Sequence, residues 1–223
     1  MKIYRKLKLW LSHFFEITVA DFSSEVTDRM QVKASVGRFI IDAPNVNYAY
    51  GGLDVFFRLA FHKLGLPEPG MNKVLILGFG VGNVAKLLEK HENPPDEITG
   101  VEKDRQLKAA AKQYFNIDKL QRTTVYYQDA YQFVKECNAT FDLIIVDLFV
   151  DGSVPAEAEK EDFLLNLKHK LNPAGVLLFN RMAHDAGHAK KSKAFFDYFT
   201  KLLGHARQFS IHENLFIFFR KTD

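Results

Sequence analysis

Glycines and acids recur in one order along this chain: the turn Gly78-Phe-Gly-Val-Gly82, then Glu102, Asp129 and Asp147. The turn follows the apolar run Val74-Leu-Ile-Leu77, and glycines at Gly78, Gly80 and Gly82 remove Cβ atoms where a strand end must bend and approach a ligand. That suits a nucleotide-like cofactor. Glu102 lies 24 residues after Gly78, where one carboxylate could accept hydrogen bonds from both hydroxyls of a ribose. Asp129 could accept from an adenine amino group, and Asp147 could face the reacting end of the ligand as a base or a substrate-orienting group, with Asp151 as second candidate. Each acid alone could equally be a helix cap or a polar strand end.

These positions make chemical sense only if they sit at successive strand ends. Apolar runs at 73–78, 98–103, 123–128, 141–148 and 175–181 read as strands, with helical periodicity at 82–91, 104–115, 130–137, 157–170 and 187–204. The alternation predicts an α/β fold, a Rossmann-like doubly wound parallel sheet whose crevice lies at the carboxyl ends of the strands. Ala206–Ile211 and 215–219 are joined only by His212-Glu-Asn214, which demands an antiparallel C-terminal hairpin, because a parallel crossover needs about a dozen residues. Short strand candidates at 16–22, 31–36 and 38–42 predict a small N-terminal β-element, and a helix from Gly52 to Leu64 follows. The breaker-rich link Gly65-Leu-Pro-Glu-Pro-Gly70 divides the chain into residues 1–70 and a cofactor-binding domain at 71–223.

Bulk properties narrow the partners. A net charge of +3 spread over scattered lysines argues against nucleic acid and leaves a small-molecule substrate. The single cysteine, Cys137, excludes an internal disulfide and a cysteine-rich zinc site, and suits the cytoplasm. His184 and His188 are four apart but lack a third ligand at a convincing spacing, so no metal is expected. No apolar run reaches membrane-spanning length, which predicts no stable membrane insertion. At the N-terminus Ile3, Leu7, Trp10, Leu11 and Phe14 share a helical stripe, with Lys2, Arg5, Lys6 and Lys8 largely off it. Docking of that stripe onto the body, or onto a second copy to make a homodimer, is expected ahead of a membrane-surface role.

The ordered series over residues 71–223 resembles the class I S-adenosylmethionine-dependent methyltransferase superfamily, and within it the spermidine synthase-like branch. Val74-Leu-Ile-Leu-Gly78 resembles that branch's first motif, and Phe141-Asp-Leu-Ile-Ile-Val-Asp147 followed by Asp151 and Pro155-Ala156 is similar to its catalytic strand and loop. Asn47-Tyr-Ala-Tyr50 falls where the branch has a substrate-gating segment. The resemblance implies S-adenosylmethionine, or its decarboxylated form, as cofactor. It places Gly78, Gly80 and Gly82 under the methionine and ribose, Glu102 on the ribose hydroxyls, Asp129 with Ala130 beside the adenine, and Tyr48 and Tyr50 over the substrate.

The chain departs from the branch where cations would be recognised. Val81 stands where spermidine synthases have an acid, and the loop Asp147-Leu-Phe-Val-Asp151-Gly is one residue longer than theirs. Losing acids weakens recognition of polyamines, so the leading expectation is methyl transfer to a small molecule, with aminopropyl transfer and a non-catalytic binding protein as alternatives. A nicotinamide-dependent oxidoreductase fits less well, because Asn83 occupies the third glycine position of the dinucleotide fingerprint.

Overall fold

The computed structural model describes residues 2–24, 29–42, 53–150, 153–183 and 186–222. Asn45, Asn47, Tyr48, Tyr50, Asp151, His184 and Asp185 lie outside the described residues. A first helix, α1 (Lys2–Leu11), precedes an antiparallel sheet of β1 (Ile17–Phe22), β2 (Met30–Ser35) and β3 (Arg38–Asp42), and α2 (Leu53–Leu64) leads into the larger unit. There β4 (Lys73–Leu77), α3 (Asn83–Glu89), β5 (Glu97–Glu102), α4 (Leu107–Phe115), β6 (Thr123–Tyr127), α5 (Ala130–Glu136) and β7 (Phe141–Val146) alternate as the periodicity predicts. The chain continues through α6 (Glu161–Lys170), β8 (Leu171–Met182), α7 (Ala186–Leu203), β9 (Ala206–Ile211) and β10 (Asn214–Arg220).

Seven strands form one sheet in the order β6-β5-β4-β7-β8-β10-β9, parallel except for β10. After β4 the chain builds outward through β5 and β6, then crosses back to lay β7 on the other side of β4. That reversal opens a crevice at the carboxyl end of β4. Alternate residues of β4 explain its central position: Leu75 and Leu77 pack under α5, α6 and α7, while Val74 and Ile76 pack under α2 and α3. A strand apolar on both faces must be covered on both.

Three details differ from the sequence reading. The helical segment expected at 157–170 divides into a 3-10 turn at Ala156–Glu159 and α6, and β8 begins at Leu171 rather than 175. Its first residues join through a register shift between Phe141 and Leu143 of β7. The hairpin forms, but its reversed strand β10 lies inside the sheet, between β8 and β9, so the edge strand β9 runs with the parallel set. Phe216 and Phe218 on β10 gain burial on both sides by this insertion.

The glycine turn depends on a glycine the motif does not contain. Phe79 is 4% exposed, and its ring lies so close across β5 that a Cβ at Gly100 would meet its Cδ2 at 2.2 Å. Gly100→Ala should therefore lower the denaturant midpoint by the equivalent of about 1–3 kcal/mol, with part of the loss restored by adding Phe79→Leu. An unchanged midpoint would contradict this packing.

Candidate functional site

At the crevice the backbone after β4 is pinned from both sides. Toward β5, the N–H groups of Gly78 and Phe79 both donate to the Val101 carbonyl, at 3.0 and 2.9 Å. Toward β7, a Cβ on Gly78 would lie 2.1 Å from the Asp147 carbonyl oxygen, an approach that only glycine permits, and the Asp147 N–H donates to Leu77 at 2.8 Å. Gly78, Gly80 and Gly82 all have positive φ, and a Cβ built on Gly80 meets nothing within 4 Å. The turn is thus packed underneath and open above Gly80.

Glu102, at the end of β5, closes the turn. One carboxylate oxygen accepts from the Gly80 N–H at 2.7 Å and the other from the Asp104 N–H at 2.8 Å. Burial pushes its carboxyl above the ordinary range, and these two N–H donors oppose that rise. Carboxylate oxygens have further lone pairs, so this carboxylate can still accept from ligand hydroxyls. Asp104 is 1% exposed; it accepts from Gln106 N–H at 2.9 Å and from the Ser24 hydroxyl at 2.5 Å, which ties the segment after β1 to the crevice.

Asp129 serves as the N-cap of α5, accepting from the N–H groups of Tyr131 and Gln132 at 2.9 and 3.3 Å. Its other oxygen lies 3.3 Å from Lys103 Nζ, and Ala130 beside it is buried. Helix capping accounts for the aspartate without a ligand, while its position beyond β6 keeps it at the same end of the sheet as Glu102.

Asp147 follows β7 directly. The side chain is partly exposed, but the surrounding protein pushes its carboxyl from 3.8 up to about 6, opposed by a hydrogen bond donated by Asn180 Nδ2 at 2.9 Å. Asn180 is 1% exposed on β8, and its own Oδ1 has no partner among the described residues. Sequence reasoning missed it. The available signal was a polar residue ending the buried run Val176-Leu-Leu-Phe179. On the opposite face of β8, Arg181 pairs with Glu159 at 2.6 Å and so anchors the 3-10 turn that follows the β7 loop.

The structure thus brings Gly78, Gly80, Gly82, Glu102, Asp129, Ala130 and Asp147 to one end of the sheet. Four acids stand at or just beyond strand ends there: Glu102 and Asp104 are neighbours, Asp129 is paired with Lys103, and Asp147 lies across β4 after β7. Val81 does not add to them. It is 4% exposed and packs with Met30, Val32, Leu107 and Ala110, beneath the small sheet.

Residues 58–200 match the family described as Spermine/spermidine synthase domain. Over 201 residues the chain is 26% identical to a probable polyamine aminopropyl transferase of Bifidobacterium longum, covering 86% of this chain and 44% of that protein. A polyamine aminopropyltransferase of Streptococcus uberis is 29% identical over 165 residues, 67% of this chain and 54% of the relative, so the chain spans about half the length of these curated relatives. Among solved structures, a probable spermidine synthase from Corynebacterium glutamicum superposes with a TM-score of 0.74 at 16% identity, covering 92% of this chain and 81% of that one. Human methyltransferase-like protein 13, in complex with SAH, superposes with a TM-score of 0.57 at 23% identity, over 75% of this chain and 77% of that one. Both share the fold.

The raised Asp147 carboxyl has a consequence for stability. Between 3.8 and about 6 the folded chain holds a proton that the unfolded chain has released, so stability falls as pH rises through that window and stays lower above it. Asp147→Asn should therefore match the parent below about pH 4 and exceed it above about pH 7, by up to about 3 kcal/mol at about 1.4 kcal/mol per pH unit. Unfolding curves at both pH values check the sign; a variant less stable than the parent at the higher pH contradicts it.

Proposed function

The chain belongs to the spermine/spermidine synthase family, and we propose that it transfers an aminopropyl group from decarboxylated S-adenosylmethionine to the amine of a small acceptor. The observation that carries this reading is Asp147, whose backbone packs on Gly78 of the glycine turn and whose carboxylate is gripped by Asn180 and raised toward neutrality. A group in that condition can hold an ammonium ion and take its proton as the nitrogen becomes a nucleophile.

The crevice fits an adenosyl sulfonium. The space above Gly80 would admit its chain, Glu102 would accept from its ribose hydroxyls, and Asp129 with Ala130 would border its adenine. When bound, the donor supplies a methylene carbon made electrophilic by its sulfonium. Transfer forms a carbon–nitrogen bond as the carbon–sulfur bond breaks in line, the electron pair leaving with the thioether. Asp147 orients the acceptor and receives its proton. Acids outnumber bases among the residues named at this end of the sheet, which favours cations, decarboxylation leaves the donor more cationic, and the family match points the same way, which is why aminopropyl transfer takes precedence over the methyl transfer expected from sequence. In this reading Asp151, Tyr48 and Tyr50 complete the acceptor side, residues 71–223 form the donor-binding domain, and residues 1–70 flank the acceptor.

Methyl transfer stands as the second reading because of Val81. An apolar residue packed under the small sheet offers no counter-charge to an aminopropyl amine. Calorimetric titration with the two sulfoniums separates the readings. Aminopropyl transfer predicts that the decarboxylated donor binds about tenfold or more tightly than S-adenosylmethionine and yields a lengthened amine from a diamine. Tighter binding of S-adenosylmethionine, with a methylated product, would establish the second reading instead.

A further inference from the structure

The sequence predicts that the apolar stripe of α1 docks onto the body or onto a second copy; the structure leaves most of the described stripe off the body. The helix is held to the body by polar contacts. Arg5 donates from Nη1 to the Gln113 carbonyl at 2.8 Å and from Nη2 to the Tyr114 carbonyl at 2.7 Å, and its guanidinium lies 5.0 Å from the centre of the Phe39 ring. Ser12, 3% exposed, accepts from the Gly37 N–H at 2.9 Å through its hydroxyl, while its carbonyl accepts from the Val36 N–H at 2.8 Å. Of that stripe, Leu7 is 49%, Trp10 60% and Phe14 72% exposed while Leu11 is half-buried, and Tyr4 at 75% and Phe15 at 58% join the exposed residues. Trp10 and Phe14 pack edge to face at 5.5 Å, so the patch is contiguous, and Val36 beside Ser12 extends it.

We infer that this face is a docking surface for an anionic lipid bilayer, which the protein meets peripherally and reversibly. Charge selects this occupant over a second copy. At about 100° per residue, Lys6 and Lys8 fall on the two borders of the exposed apolar sector. Residues 1–15 contain no Asp or Glu, and Glu16, the first acid, is turned to Lys33 at 3.2 Å. Two copies facing each other through this patch would oppose lysine to lysine. An anionic headgroup layer instead neutralises Lys6 and Lys8 while the aromatic rings enter the acyl boundary. None of the described helices is long and apolar enough to cross a membrane, so the contact is interfacial.

Trp10 is the chain's only tryptophan and reports on this face directly. With the full chain, vesicles of phosphatidylcholine plus phosphatidylglycerol should shift Trp10 emission to the blue and carry the protein into the pellet. Phosphatidylcholine alone should do neither, and added salt should reverse the binding. Lys6→Glu with Lys8→Glu, and separately Trp10→Ser with Phe14→Ser, should each cut cosedimentation about tenfold or more while melting temperature and donor affinity stay at parental values. Equal binding to neutral vesicles, or no binding to anionic ones, overturns the inference. So does a dimer in buffer in which Trp10 emission is already blue-shifted and which Trp10→Ser with Phe14→Ser converts to monomer, since that assigns the face to a second copy.

Discussion

At the crevice the backbone pins the base of the glycine turn, and one side-chain hydrogen bond, from the Gly80 N–H to the buried Glu102 carboxylate, holds its middle. The bond joins the turn after β4 to the end of β5 and fixes the direction in which the turn opens. Burying a carboxylate is costly unless its oxygens are satisfied. Gly80 and Asp104 satisfy one oxygen each, and the carboxyl is still pushed upward. Glu102 is therefore a clamp of the turn that retains free lone pairs beside Gly80.

The same economy of space governs the other flank. Gly78 can approach the Asp147 carbonyl only because it lacks a Cβ, and that approach packs the Asp147 backbone against the turn. Asn180 then fixes the carboxylate from β8, across the β7–β8 boundary. Two acids thus stand on either side of β4 with different supports. Glu102 is held by backbone N–H groups, as suits a group that stays in place, and Asp147 by a single side-chain amide, with a carboxyl near 6 that can exchange a proton.

Much of this was legible in the sequence because it follows from periodicity and from glycine. The apolar runs of β4 and β7 announced strands buried on both faces, and the short link at His212-Glu-Asn214 required the hairpin. What escaped depends on contacts between distant residues. Gly100 and Asn180 are unremarkable within their own strands and acquire meaning only beside Phe79 and Asp147. Asp129 carries a local role as a cap that no spacing argument could separate from a ligand role. The outward stripe of α1 escaped because amphipathicity tells which residues are alike, and Arg5 and Ser12 decide which side meets the body.

The central claim is that the turn and Glu102 together form a site for an adenosyl thioether or sulfonium. Calorimetry with 5′-methylthioadenosine, an uncharged thioether, on the parent and on Glu102→Gln tests it without any assumption about the acceptor. The parent should bind at one site per chain, with affinity reduced about tenfold or more in the variant while its thermal unfolding stays cooperative. Absence of binding to the parent, or equal affinity in the two proteins, would contradict it.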